Sequence, residues 1–439
     1  MKVKYYIQHR SQKLDAAVRY VWEHLGRDYN IEFQKVEQIE ECHVSLGFDS
    51  HCTFTLSNFF LQNMESGVFS WKEMLNLEDQ RPIVLNEFRA PDFLLSSFYL
   101  LSGMQEWSSF SADRFGRFPY VESCQKYFGG CETAWVDEYF EEIFNIISDK
   151  ISIPKRKEEP TEVVLTHDID HLQWPIVQNI YSLARDSYQS KGIQPLKKIR
   201  FLLRNTRRNL EEIIQLEKRF NTTSIFFWLV EQGPGQYGVK NADYSSEDRY
   251  VQKVMDVVDD VGGTNALHKS SKAQSITQEL QKCNRLSEIN RFHYLMFSLK
   301  NQGEELEFSV DQDYSYGFAE HYGFRNSYSK PFHPFDFDNW EPFCFLEVPL
   351  TIMDTTFTTY LKLSPDEALE RLKEFLGEHQ NNSFVSILWH NDYFNPFKFS
   401  GWKEVYEALL VELFEKGSAK VLTPREVEEK YRIYEKIYH

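Results

Sequence analysis

The hexamer Thr166-His-Asp-Ile-Asp-His171 follows the apolar run Val163-Val-Leu165. Strand alternation puts Thr166, Asp168 and Asp170 on one face and His167 and His171 on the other. Two carboxylates at the carboxyl end of a strand can divide the labour of hydrolysis. One ligates a hard or borderline cation while the other accepts a proton from water. The rival reading is an acidic strand-to-loop turn whose aspartates cap backbone amides. Three more segments end an apolar strand in a residue capable of chemistry. Asn265-Ala-Leu-His268 is followed by Lys269-Ser-Ser-Lys272. Arg291-Phe-His293 places Arg291 and His293 on one face if the strand continues, and Phe384–Trp389 runs into His390-Asn391. A single histidine at a strand end is more often a satisfied core or surface residue than a ligand. Four polar strand ends in sequential order are harder to dismiss.

These residues need a scaffold of strands that share one carboxyl edge. From Glu162 onward short apolar strands are predicted at Val163–Thr166, Ser224–Leu229, Thr264–Leu267, Ile289–Phe292, Phe345–Val348, Phe384–Trp389 and Ala419–Leu422. Helical spacing falls between them at Ile199–Phe220, Glu247–Asp260, Ala273–Leu286, Pro365–Glu378 and Trp402–Lys416. That alternation predicts an α/β fold, a (β/α) barrel with fewer than eight strands or an open doubly wound sheet, and barrel enzymes keep catalytic groups at the carboxyl edge. Residues 1–153 read as a smaller α/β domain. Its strands are expected at Lys2–Gln8, Ile31–Phe33 and Cys42–Phe48, and its helices at Lys13–Leu25 and Trp135–Ile147. The charged, proline-bounded stretch 154–161 is the predicted linker to a second domain at 162–439.

The 439 residues carry a net charge of −17, which gives no general attraction to phosphate backbones, so nucleic acid is not an expected partner. A composition that is 16 % aromatic argues against disorder. Six cysteines are too sparse for a disulfide framework. The opening residues MKVKYYIQHRSQ lack the apolar run of a secretory signal, and the most apolar stretch, Phe93–Met104, is too short to span a bilayer. The expected compartment is the cytoplasm.

Residues 162–425 resemble the polysaccharide deacetylase (NodB-homology) family, in a divergent bacterial subgroup with an extra amino-terminal α/β domain. The family's aspartate pair matches Asp168 and Asp170. Its second motif, His-x-x-x-His, matches His268 in its first histidine, its third matches Arg291-Phe-His293, and its fifth matches Leu388-Trp-His390. Asp313-Tyr-Ser, Gly323-Phe-Arg325 and Pro349-Leu-Thr-Ile-Met-Asp354 also resemble that subgroup. The resemblance implies a deformed (β/α) barrel and a metal-dependent hydrolase that removes an N-acetyl group from a sugar or saccharide precursor, in surface polysaccharide biosynthesis. It implies Asp168 as base, Arg291 as its orienting partner and His390 as acid. Asp170 and His268 would hold a divalent ion, zinc by preference. Lys272 stands where the family's second metal histidine would be, and a lysine is a poor ligand unless deprotonated. His293, in place of the motif proline, is the candidate third ligand. Arg325 is open to a substrate carboxylate or hydroxyl, or to a structural ion pair. Asp313 is placed with the substrate, and Trp389, Tyr314, Tyr316 and Phe318 are open to sugar stacking or to core packing. The alternative function is a non-catalytic saccharide-binding protein that has lost a complete metal site. An esterase or amidase acting on a non-sugar substrate is a third.

Weaker signals have plainer explanations. Cys42-His43 and His51-Cys52 lack the two-residue spacing within a ligand pair that zinc sites favour, and Cys124 and Cys131 are no more convincing. The basic stretch Lys191–Arg219 fits a solvated face or an anionic partner. Trp340–Phe345 and Phe394-Asn-Pro-Phe397 are aromatic loops that could line a cleft or cover a barrel mouth.

Overall fold

The computed structural model describes residues 1–108, 110–172, 208–396 and 398–435. The chain divides into two compact units, and neither is one continuous stretch. The first comprises Met1–Glu159, Met296–Thr351 and Val427–His439; the second comprises Pro160–Leu295 and Ile352–Glu426. The first crossing, between Glu159 and Pro160, falls inside the charged stretch expected to be a linker. The later crossings carry no such mark in the sequence.

In the first unit, β1 (Lys2–Ile7), β2 (Glu32–Lys35), β3 (Val44–Gly47) and β4 (Phe54–Thr55) form a parallel sheet in the order β2-β1-β3-β4. The helix Gln12–Tyr29 starts at Ser11, whose hydroxyl accepts from Leu14 N, and stops at Asn30 in the left-handed region. It buries Leu14, Val18, Val21, Trp22 and Leu25 on one stripe. The helix Phe93–Leu101 is apolar almost all round and correspondingly buried along its length. No helix among the described residues is long and apolar enough to cross a membrane. The same unit contains β9 (Gln312–Asp313), β10 (Phe335–Asp336), β11 (Glu341–Pro342) and β12 (Leu346–Glu347). Strand β12 answers to the expected strand at Phe345–Val348. It runs parallel to β9, inside the first unit.

The second unit is built on β5 (Glu162–Ile169), β6 (Ser224–Trp228), β7 (Thr264–Lys269), β8 (Ser287–Phe292), β13 (Ile352–Met353), β14 (Phe384–Leu388) and β15 (Lys420–Val421). They form a curled, half-barrel parallel sheet in the order β8-β7-β6-β5-β14-β13, with β15 paired to β5. Central β5 is buried at every residue, as a parallel strand covered on both faces should be. The helix Arg249–Asp260 turns Val251, Val254, Met255 and Val258 inward and is capped by Asp248, which accepts from Tyr250 N at 2.7 Å. Pro365–Glu378 begins at a Ser364/Glu367 capping box with proline in its first turn. The helix expected over Ala273–Leu286 is confined to Ile276–Leu280, where a Ser275/Gln278 capping box starts it. Of the helix expected at Ile199–Phe220, Arg208–Arg219 is observed, and 199–207 lie outside the described residues.

Because all these strands are parallel, their carboxyl ends share one edge. In register, Thr166 faces Leu388, Asp168 faces Phe227, and His268 faces Arg291. The three polar strand ends on β5, β7 and β8 therefore converge, and His390 follows β14 at the same edge.

Candidate metal centre and its acid–base pairs

Asp170 follows directly after β5, and its Oδ1 is buried without a hydrogen bond. Two imidazoles face that oxygen, with His268 Nε2 at 3.4 Å and His293 Nε2 at 3.5 Å. The far nitrogen of each ring is already engaged. His268 Nδ1 bonds the Arg291 carbonyl at 2.9 Å, and His293 Nδ1 faces Asn241 Oδ1 at 3.4 Å. A carbonyl oxygen only accepts, so each Nδ1 carries a proton, which leaves each Nε2 as the atom available to a cation beside Asp170. Two Nε2 atoms and a carboxylate oxygen brought this close suit a cation between them, and the outer oxygens orient the rings. One donor atom from each of Asp170, His268 and His293 lies within 4.8 Å of the others. Two nitrogens and one carboxylate oxygen match donor types that zinc takes.

The charges agree with that reading. Burial opposes ionisation of Asp170, and His293 and His268 outweigh it, holding the carboxyl well below its ordinary range. Burial likewise opposes a charge on His268, and Asp168 and Asp170 outweigh it, so its pKa sits above the usual value. The proton retained there is one that a divalent ion would displace from Nε2. Burial dominates at His293 and pushes its pKa down, favouring the neutral form that ligates.

Asp168 is bound to Arg291 rather than to this triad. Arg291 Nη1 donates to Asp168 Oδ1 at 2.8 Å and to Thr166 Oγ1 at 2.9 Å. The guanidinium lies over the Phe227 ring, 4.5 Å from its centroid, which fixes its path across the sheet. Burial would raise the Asp168 pKa; His268 and Arg291 more than offset it, so the carboxylate stays ionised. Its second oxygen, Oδ2, lies 3.5 Å from His268 Nε2 and faces the same centre. On the opposite side His390 Nε2 is 4.0 Å from Asp170 Oδ2. His390 is held from behind: Nδ1 donates to Asp354 Oδ1 at 2.7 Å, and its backbone N donates to Asp354 Oδ2 at 2.6 Å. Burial would lower the His390 pKa, but Asp354 above all, with Asp170 and Asp168, pushes it up to about 10.

The structure thus brings together Asp168, Asp170, His268, Arg291, His293 and His390. Lys272 is not among the group facing Asp170. Its Nζ lies 3.0 Å from Glu231 Oε2, a carboxylate that it shares with Lys282. His167 occupies the other face of β5, where Nε2 meets Glu217 Oε1 at 2.7 Å and Nδ1 meets the Trp389 carbonyl at 2.6 Å. Trp389 is fully buried, with its ring 5.3 Å from Tyr406 and 6.2 Å from Trp402.

The other two residues expected at the substrate belong to the first unit. Arg325 is buried and its donors are engaged. Nε and Nη2 bond Glu106 at 2.8 and 2.6 Å, and Nη1 bonds the Gly317 carbonyl at 2.9 Å. Of the two roles open to it, the structure shows the ion pair. Replacing Glu106 with Ala strands that charge, and the expected cost is about 3–5 kcal/mol. The check is a lower urea midpoint at unchanged slope. Asp313 is buried at the end of β9, where it accepts from Ser315 N at 3.0 Å and Ser315 Oγ at 3.1 Å. Tyr314, Tyr316 and Phe318 are buried in the first unit, as is Phe345. Phe394 is buried in the second, while Phe397 and residues 191–207 of the basic stretch lie outside the described residues.

Three contributors carried no role in the sequence reading: Asp354, Asn241 and Thr166. Asp354 follows the two-residue strand β13, which pairs with β14 so that Met353 faces Leu388. The resembling segment that ends at Asp354 was the available signal.

A family of unknown function, DUF7033, matches residues 5–152. No curated protein matches the chain. Among solved structures, the chain is similar to a protein of Mycobacterium smegmatis provisionally named a polysaccharide deacetylase, at 11 % identity and a TM-score of 0.40, over 65 % of this chain and 98 % of that one. It is also similar to a protein of Bordetella bronchiseptica provisionally named a polysaccharide deacetylase involved in O-antigen biosynthesis, at 10 % identity and a TM-score of 0.30, over 56 % and 89 %. A 4-alpha-glucanotransferase from Thermococcus litoralis matches at 9 % identity and a TM-score of 0.37, over 62 % of this chain and 41 % of that one. Identity this low leaves the site's own geometry as the basis for function.

Proposed function

We propose that the second unit is a metal-dependent hydrolase that releases an acetyl group from the amide nitrogen of an N-acetylated sugar or saccharide. The observation that carries it is the convergence of Asp170, His268 and His293, with the two Nε2 atoms 3.4 and 3.5 Å from Asp170 Oδ1. Those three residues would hold the ion, zinc by its donor set. Bound there, a divalent ion would supply Lewis-acid polarisation of the acyl carbonyl and a water activated near neutral pH.

The rest is the work of this chain's own groups. Arg291 occupies Asp168 Oδ1, which leaves Oδ2 as the atom that takes the proton from the attacking water. His390, protonated and fixed by Asp354 at Nδ1, presents Nε2–H to the departing amine. Amide hydrolysis needs such a pair, because one group must deprotonate the nucleophile while another protonates a poor leaving group. The sugar comes from the motif resemblance and not from the geometry.

The test is metal content by mass spectrometry, for the native protein beside Asp170→Asn and His268→Ala. The expected result is that each variant holds one equivalent of divalent metal fewer than the native protein, followed by acetate release from a panel of N-acetyl sugars. Equal metal content in native protein and both variants, with the fold intact by circular dichroism, would overturn the reading in favour of a saccharide-binding protein without hydrolysis.

A further inference from the structure

The first unit contains another convergence of ligand-type side chains, assembled from residues almost two hundred positions apart. Cys131 Sγ lies 3.5 Å from His321 Nδ1, and His321 Nε2 lies 3.7 Å from Glu132 Oε1. One donor atom from each of the three residues falls within 4.8 Å of the others. His321 Nδ1 bonds the Tyr322 carbonyl at 2.9 Å, which places a proton on Nδ1 and leaves Nε2 as the atom that can ligate. Nε2 faces a carboxylate oxygen at 3.7 Å, an arrangement that a proton or a metal cation stabilises.

The surroundings hold the group rigidly. The Tyr120 ring stacks on His321 with centroids 4.8 Å apart and planes at 29°, and Tyr322 stacks at 5.0 Å and 18°. Gly323 has φ +114°, and a Cβ there would come within 2.2 Å of the Cys131 carbonyl oxygen. Only glycine lets the His321 segment approach Cys131 this closely, and Phe324 N then donates to that same carbonyl at 2.6 Å. The thiol is buried, while His321 and Glu132 are partly exposed, so an ion has a route in.

We propose that Cys131, Glu132 and His321 form a second divalent-metal site, one that takes zinc through a thiolate. Sulfur, imidazole nitrogen and carboxylate oxygen are zinc's donor types, and three protein ligands leave a position for water. On binding, the Sγ–metal bond forms as the thiol proton, now directed at the Tyr322 carbonyl at 3.0 Å, passes to solvent. Thiolate and carboxylate together balance the ion's charge. This site lies in the unit that DUF7033 matches in part and is independent of the hydrolase reading, because the Asp170 group contains no sulfur.

Cobalt(II) separates the two sites, since only a thiolate ligand gives a sulfur-to-cobalt charge-transfer band in the near ultraviolet. Full-length protein stripped of metal and titrated with cobalt(II) is expected to show that band, and zinc should abolish it. His268→Ala should keep the band while losing one equivalent of cobalt. Cys131→Ser and His321→Ala should each lose the band and keep the other equivalent. No band in the native protein, or a band that survives in both Cys131→Ser and His321→Ala, would overturn the proposal. Should the buried Cys131→Ser fail to fold, the native spectrum and His321→Ala decide it. Failure of the hydrolase reading would appear instead as unchanged cobalt content in His268→Ala.

Discussion

Asp168→Asn should lower turnover by about 10²–10⁴-fold while the protein keeps its metal. The asparagine retains an oxygen for Arg291 Nη1, which reaches Asp168 Oδ1 at 2.8 Å in the native protein, so the local geometry has a substitute acceptor. It has no group at the position of Oδ2 that can take a proton. The ligands themselves, Asp170, His268 and His293, are untouched. The substitution also removes the countercharge of a fully buried guanidinium, and that lowers stability. Turnover is therefore compared per folded, metal-loaded molecule, with the urea midpoint measured alongside. A variant that retains metal and hydrolyses at the native rate would remove Asp168 from the base role. A variant that loses metal and activity together would show instead that Asp168 serves the ion.

The parts of this site that can be read from sequence are those that repeat along a strand. Thr166, Asp168 and Asp170 alternate on β5, and the structure sends the first two to Arg291 and the third to the imidazoles. His167 falls on the opposite face for the same reason, against Glu217. His293 was reachable because Arg291 lies two residues before it on the same strand end, and the structure brings His293 Nε2 to 3.5 Å from Asp170. Asp354 was not reachable in that way. It follows a two-residue strand, too short to alternate, and its partner lies 36 positions downstream. Cys131 and His321 are 190 positions apart, and no spacing rule spans that distance. The chain's later crossings between units have the same character. The strand expected at Phe345–Val348 is observed as Leu346–Glu347, and its partner Gln312–Asp313 was not expected as a strand, being only two residues long.

Asp354→Asn should be nearly as damaging as loss of the base, although Asp354 stands behind the acid and not in front of the substrate. Its two oxygens do separate jobs: Oδ1 receives His390 Nδ1 at 2.7 Å and Oδ2 receives His390 N at 2.6 Å. An asparagine can keep one of these acceptors and must turn an N–H toward the other. Whichever bond is lost, the imidazole loses either its tautomer or its anchor, and the expected fall in turnover is about 10²–10⁴-fold. The pH profile separates this role from a merely structural one. Burial lowers the His390 pKa, and Asp354 is the largest of the charges that push it up to about 10. An acid works only while protonated, so activity is lost as pH rises through that pKa. A cation at Asp170 adds positive charge nearby and brings the alkaline limb of the loaded enzyme below about 10. Removing the Asp354 charge weakens the proton's hold further, so the alkaline limb should move to lower pH in Asp354→Asn while the metal content stays that of the native protein. An unchanged alkaline limb, with turnover reduced equally at every pH, would mean that Asp354 holds the loop and that the proton on the leaving amine comes from another group.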